Sequence, residues 1–391
     1  MKKIFMLIGV IILIAGLALF IYRNQIIRYS AEALIRKSLP DFIKISRVNF
    51  DSKNGKVTLN GFKIINPGNF SDDYLLEIKE ITCSYRLKGK NILDGFEIID
   101  PVLISPLLNI ERRSDGKLNL IEMQTIIGKK DGAKAPGSAE GKQGTTVLGD
   151  KKVSDIIKLP EDFLIKGGKI IFIDSPNNSK PHIITLENIE ARLSLKLNDY
   201  YAGILDVGST GSGNINGKRD EAIKWVVRYN PTTPKITMSN RFEVSNVAIT
   251  PFEPYYDKYS PFIFKDGVFS GVLVFDFDNG NIGSTNEIHL RNLKFMVKQD
   301  YDNAQLWDTT VPDLVKYFTS PFGEIVFDFK IKGEMSNPKF YLGPISKQAL
   351  ASMAIDKISS AIQKATVDKG KGGLDRADEY IDIIKSLVNK K

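Results

Sequence analysis

The chain has 391 residues, 42% hydrophobic and 26% charged, which supplies apolar material for one or two ordinary cores and excludes broad disorder. Its 54 Lys and Arg exceed its 46 Asp and Glu by eight; the excess is scattered rather than gathered into one stripe, which disfavours nucleic-acid binding and fits a basic surface beside anionic headgroups better. The single cysteine, Cys83, excludes an internal disulfide and a cysteine-based zinc cluster, and reads as a small buried apolar residue.

From Ile4 to Tyr22 there is no charged residue. As a helix that run would reach roughly 28 Å, about one hydrocarbon core. It is longer than the apolar part of a signal peptide and has no small-x-small cleavage site before Tyr22, so residues 1–22 read as an uncleaved membrane anchor. Lys2 and Lys3 are nearly balanced by Arg23 and Arg28, which leaves orientation open from charge alone. An N-terminus in the cytoplasm would place the folded remainder outside. Residues 23–40, apolar at helical spacing up to Pro40, predict a juxtamembrane helix.

Beyond Pro40 the period changes from helical to two. Ile81, Cys83, Tyr85 and Leu87 form one apolar face; Ile189, Ala191, Leu193, Leu195 and Leu197 form another; Ile223, Trp225, Val227 and Tyr229 a third. Phe269, Gly271, Leu273, Phe275 and Phe277 repeat the pattern, as do Ile325, Phe327, Phe329 and Ile331. With turns at "NPGN", "SPNN" and "DNGN", these predict antiparallel sheet, one side apolar and the other largely wet. Three strand pairs echo one another, those opening on "GKVTLNGFKIINPGN", "GGKIIFIDSPNN" and "GVFSGVLVFDFDNGN", and read as a degenerate repeat of hairpins.

Residues 128–152 lack an apolar period and are rich in Gly, Lys, Ala and Ser, the composition of a flexible, solvated linker. They separate an N-terminal β segment, 41–127, from a main β segment, 153–343. Residues 344–391 return to helical spacing. Leu350, Ala354, Ile358 and Ala361 make one stripe, edged by Ile355 and Ile362; Leu374, Ala377, Ile381, Ile384 and Val388 make another. Two amphipathic helices that cap the end of a sheet are the expectation.

Catalytic chemistry is not visible. His182 and His289 each stand alone among strand or turn residues, so neither a metal-binding pair nor a nucleophile-base arrangement is indicated. "GSTGSGNING", from Gly208 to Gly217, lacks the Lys and Ser/Thr of a phosphate loop and reads as a flexible strand connection. "DFDNGN" at Asp276 has its Gly in the wrong place for a calcium loop and no flanking helices; Asn279 and Gly280 suit a hairpin turn. No catalytic residue, metal or cofactor is assigned, and the chain reads as a non-enzyme.

The anchor, followed by "GKVTLNGFKIINPGNF" with Gly55, Gly61, Asn66, Pro67 and Phe70, resembles the start of the AsmA family of membrane-anchored bacterial envelope proteins, which are related to repeating β-groove lipid-transfer proteins. "IDPVLISPLLNIERRSDGKLNLIEM", with Pro101, Glu111, Arg112, Gly116 and Asn119, is similar to the family's proline-containing strand pair. "FGEIVFDFKIKGEMSNPKF", with Gly323, Ile325, Gly333, Pro338 and Phe340, is similar to its closing strand. The resemblance implies a short member of the family. It implies a curved antiparallel β-sheet groove with an apolar concave face, an inner-membrane anchor with the bulk in the periplasm, and a part in phospholipid movement or outer-membrane homeostasis. An envelope protein partner is left open.

A sheet with one apolar face must cover it with another layer or leave it to an apolar ligand, and acyl chains qualify. On that reading the groove residues are Ile81, Tyr85, Leu87, Ile189, Leu193, Leu195, Phe269, Leu273, Phe275, Phe277, Ile325, Phe327, Phe329 and Ile331. The rival expectation is a membrane-anchored pair of closed β-sandwiches or barrels that bind or scaffold a protein without moving lipid.

Overall fold

The computed structural model describes residues 41–51, 53–89, 96–130, 147–148, 151–152, 157–158, 160–175, 180–197, 204–257, 262–299, 305–306 and 309–368. The expected anchor (1–22), the juxtamembrane helix (23–40), the helix expected from Leu374 and most of the expected linker lie outside the described residues. Among the described residues no helix is long and apolar enough to cross a membrane. The fold is mainly β, of curved, mixed sheet with few helices. The chain divides into two compact units, Met1–Ser239 and Asn240–Lys391.

The first unit begins with β1 (Ile43–Lys44), β2 (Arg47–Asp51), β3 (Lys56–Ile65), β4 (Tyr74–Leu87) and β5 (Phe96–Arg112), followed by helix α1 (Asn119–Lys130). A small ribbon of β6 (Val147–Leu148) and β7 (Lys151–Lys152) lies within the expected linker. Then come β8 (Ile157–Lys158), β9 (Asp162–Asp174), β10 (His182–Leu197), β11 (Ile204–Ile215) and β12 (Ala222–Asn230). The sheet order is β1-β3-β4-β5-β9-β10-β11-β12, with β2 also on β3 and β8 also on β5.

The expected all-antiparallel sheet is corrected at one place: β5 runs parallel to both β8 and β9. Parallel neighbours need a long crossover, and residues 113–161, which include α1, supply it. This also corrects the expected proline-containing strand pair. Its first half is one strand, β5, and its second half is α1, where Leu120 and Met123 turn inward. Pro101 and Pro106 are accepted in β5 because each follows a residue at positive φ, Asp100 (48°) and Ser105 (49°), where the ladder is already irregular.

The core of this unit lies between β1, β3, β4 and α1. Leu59, Phe62, Ile64, Leu75, Ile78, Ile81 and Met123 are buried in one cluster, with Phe62 fully enclosed. Beside it, polar side chains tie the "NPGN" turn to α1. Asn119 has no solvent exposure; its Nδ2 donates to Asn66 Oδ1 (3.1 Å) and to the carbonyl of Asn109 (2.8 Å), while its Oδ1 accepts from the backbone N–H of Glu111 (3.1 Å) and of Leu120 (2.9 Å). Glu111 in turn accepts from the backbone N–H (2.7 Å) and hydroxyl (2.6 Å) of Ser71. Arg112 grips its parallel neighbour Asp174, which is 2% exposed, through Nε to Oδ1 at 2.7 Å and through Nη2 to Oδ2.

A crease crosses the long strands. Gly61 (φ 64°) sits between the pairs Asn60–Glu80 and Phe62–Ile78, and Ser105 (49°) between Ile78–Pro106 and Glu80–Ile104. Gly167 (63°) lies beside Ser105, and Asn188 (53°) beside the shifted pair Ile189–Gly168. Irregular residues aligned on successive strands bend them together.

The second unit carries β13 (Thr237–Ala248), whose first residues precede the boundary, a short turn of 3₁₀ helix at Thr250–Phe252, and α2 (Glu253–Tyr256). Next are β14 (Phe262–Asp278), β15 (Asn281–Val297), β16 (Gln305–Leu306), β17 (Thr309–Thr310) and α3 (Val311–Phe318). The chain continues through β18 (Ile325–Glu334) and β19 (Lys339–Leu342) to α4 (Pro344–Asp368). The order is β13-β14-β15-β18-β19, with β14–β15, β15–β18 and β18–β19 antiparallel. β14 and β15 form the expected hairpin, turning through Asn279 (φ 45°) and Gly280 (87°) as a two-residue turn requires. A second crease lies at Asn246 (54°), Gly267 (140°) and Asn292 (54°), where the β14–β15 register shifts.

Candidate functional site

Eight of the fourteen expected groove residues come together in the second unit, because directly paired residues of antiparallel strands share a face. One row is Phe269, Leu290 and Ile325; the next is Gly271, Ile288 and Phe327; then Leu273, Asn286 and Phe329; and finally Phe277, Ile282 and Gly333. Phe275 pairs with Ser284, and Ile331 pairs with Phe340 of β19. Phe269, Leu273, Phe275, Phe277, Ile325, Phe327, Phe329 and Ile331 are all half-buried. At about 4.8 Å between strands, four strands give this face a width near 14 Å.

Within these apolar rows lie two buried polar side chains, Asn286 (1% exposed) and Ser284 (6%). Asn286 Oδ1 accepts from the backbone N–H of Val274 (3.0 Å) and its Nδ2 donates to Ser284 Oγ (2.9 Å), which accepts from the backbone N–H of Ile331 (2.8 Å). Side chains here replace ladder bonds and pin β14, β15 and β18 in register. The apolar period alone starts the second strand near Ile288, whereas β15 begins at Asn281, because Ser284 and Asn286 interrupt that period from the inside.

One side of this face is covered. Phe318 of α3 lies 5.9 Å from Phe327, and α4, on which Leu350 and Met353 are buried, packs against both β18 and α3. Ser346, at the start of α4, is fully buried: its hydroxyl donates to the carbonyl of Asp328 and accepts from the Asp328 N–H, both at 2.9 Å. The expected capping helix is therefore present as α4. Its inward residues include Met353, and Ile355, expected at the stripe's edge, is 54% exposed.

In the first unit the candidates are more enclosed. Ile81 is sealed in the core beneath α1, and Ile189 (5% exposed) and Leu195 (3%) are buried. Leu193 and Tyr85 are half-buried, and Leu87 is 42% exposed. Phe163, Leu193, Ser209 and Val227 form one row across β9 to β12, and Leu195, Val207 and Tyr229 another. The Gly-rich stretch from Gly208 is corrected from a flexible connection to part of strand β11. Its glycines make room: a Cβ on Gly211 would lie 2.5 Å from Trp225 Cζ2 and 2.6 Å from Ala191 Cβ. Trp225 reaches across to donate its indole N–H to Ser209 Oγ (2.9 Å).

Measured against known proteins, the chain matches no family model and no curated sequence.

Among the described residues no group of three or more His, Cys, Asp and Glu is placed to hold a metal. Burial pushes the Cys83 thiol up to about 11, the state of an inert apolar side chain. His289, expected to stand alone, instead sits between two carboxylates, with Nε2 2.7 Å from Glu287 Oε1 and Nδ1 3.1 Å from Glu324 Oε1. Arg291 also reaches Glu324, at 3.7 Å. The hydrogen bond to Glu287, then that to Glu324, raises the His289 pKa above its ordinary value. A raised folded-state pKa stabilises the imidazolium: the contribution is full below the unfolded value, about 6.5, and is lost as pH rises through the folded value. His289→Gln is therefore expected to lower thermal stability more at about pH 5.5 than at about pH 8.5. A deficit that is the same at both ends of that range would rule out the carboxylate clasp.

Proposed function

We propose that this is a membrane-anchored protein of the bacterial envelope, crossing the inner membrane once with its bulk in the periplasm. It binds phospholipid acyl chains along an apolar β-face, assisting lipid transport or outer-membrane homeostasis without catalysis. The observation that supports this reading is the set of half-buried residues that β14, β15 and β18 bring onto one face, Phe269, Leu273, Phe275, Phe277, Ile325, Phe327, Phe329 and Ile331. Each methylene such a face takes from water is worth about 0.8 kcal/mol, so acyl chains bind without a specific polar contact and headgroups stay in solvent.

The test is phospholipid retained by the full chain after extensive washing in mild detergent, wild type against Leu273→Glu. The variant is expected to retain less than about half the phospholipid while melting within a few degrees of wild type, because Leu273 is half-buried. The second reading, a scaffold with closed cores, draws support from the sealed positions of Ile81, Ile189 and Leu195. It predicts equal retention, or global unfolding of Leu273→Glu as an ordinary core position.

A further inference from the structure

We propose that the edge made by β18, β19 and the start of α4 docks on an anionic bilayer surface. The inference rests on the lipid-binding reading above, to which it adds the place where the second unit meets its lipid source.

Among the described residues β19 is the last strand of its sheet, bonded to β18 alone. Its four residues alternate. Phe340 and Leu342 pair with Ile331 and Phe329 on the apolar face, whereas Lys339 and Tyr341 pair with Lys332 and Lys330 on the other. Phe340 is 56% exposed yet stacks on Phe329 (5.1 Å between centroids) and Phe327 (6.4 Å), so apolar surface runs without a break from the open edge into the rows described above. Met335 (52%) in the β18–β19 turn and Ile345 (42%) on α4 add exposed apolar surface beside it.

The charges complete the pattern. Lys332 and Lys339 are exposed and directly opposite each other, a like-charged cross-strand pair that the fold itself does not reward. Neither they nor Lys330 has an ion pair among the described residues. Of the carboxylates on β18, Asp328 is taken up by the backbone N–H of Ser346 (2.7 Å) and of Ile345 (3.3 Å), which leaves Glu334 beside the three lysines; the exposed Asp276 and Asp278 of β14 lie two strands further in, in the rows of Lys332 and Glu334. Aromatic side chains settle at the level of lipid headgroups, and lysine stems lie along apolar surface while their ammonium groups reach phosphates. An acidic protein strand added to β19 would also satisfy the lysines. A lysine on a four-residue edge strand discourages strand addition, however, and Met335 and Ile345 lie off that strand, so a broad surface fits better.

The experiment places the full chain in phosphatidylcholine nanodiscs and measures capture of separate fluorescent vesicles, made of phosphatidylcholine alone or with phosphatidylglycerol. Wild type is expected to capture the phosphatidylglycerol vesicles and leave the others. Lys332→Gln with Lys339→Gln, an exposed pair whose neutralisation leaves the melting temperature in place, is expected to weaken capture by roughly thirtyfold, as the loss of two lysine charges near an anionic surface implies. Equal capture by wild type and variant overturns the proposal. So does concentration-dependent self-association that the variant abolishes while no vesicle is captured, since a second copy would then own the edge. Lysine-dependent capture without retained phospholipid would uphold the docking and sink the lipid-binding reading. Retained phospholipid without any preference for phosphatidylglycerol would sink the docking alone.

Discussion

Asn119→Ala is expected to lower the stability of the first unit by about 3–5 kcal/mol, since it strands several buried partners at once, each worth about 1–3 kcal/mol when left unsatisfied. Those partners are the N–H groups of Glu111 and Leu120, the carbonyl of Asn109 and the side-chain oxygen of Asn66. The loss couples three separate pieces of chain, the "NPGN" turn, the end of β5 and the first turn of α1. Asn119→Asp should cost at least as much at neutral pH, because its buried carboxylate still accepts from Glu111 and Leu120 but sets an acceptor oxygen against the Asn109 carbonyl and Asn66 Oδ1. Thermal unfolding checks the order, with a fall of roughly 10 °C for the alanine variant. A variant that melts like wild type would show that the cluster is solvated and contributes little.

Gly211→Val is expected to destabilise the same unit by about 3 kcal/mol through overpacking. The new Cβ would come within 2.9 Å of the Glu190 carbonyl oxygen as well as against Trp225 and Ala191, and backbone cannot step aside as a flexible side chain can. Trp225→Ala should relieve part of that cost, so the double variant is expected to be less unstable than the sum of the single losses. Denaturant unfolding of all four proteins, followed by far-UV circular dichroism, separates the cases. Strict additivity would mean that Trp225 does not lie over Gly211.

The strands that carry the candidate face were legible in the sequence because each has one apolar side: β14, β18 and the hairpin turn at Asn279–Gly280 appear where the two-residue period puts them. β11 was not, since its inward positions 211 and 213 are glycines and the residues that explain them, Trp225 and Leu186, lie on other strands. The same reason hid the Ser284–Asn286 staple, whose polar side chains point inward and break the period they help to hold in register. Parallel pairing of β5 with β9 is a long-range choice made by a crossover, and local alternation carries no trace of it. Helix α1 had a readable stripe in Leu120 and Met123, masked by the expectation of a second strand. Of the candidate residues, those of the second unit share a face as their alternation suggested. Enclosure of Ile81 depends on Met123 from another element, which no spacing within β4 could reveal.

If the β14–β15–β18 face meets acyl chains, site-specific photo-crosslinking will capture them there. A photoreactive residue at position 273 or 329, in the full chain within its native membrane, should yield a phospholipid adduct detectable by mass spectrometry. The same residue at 272, the next position along β14 and on the opposite face, should yield none. Adducts absent from 273 and 329, or equally strong at 272, would mean that this face does not hold acyl chains.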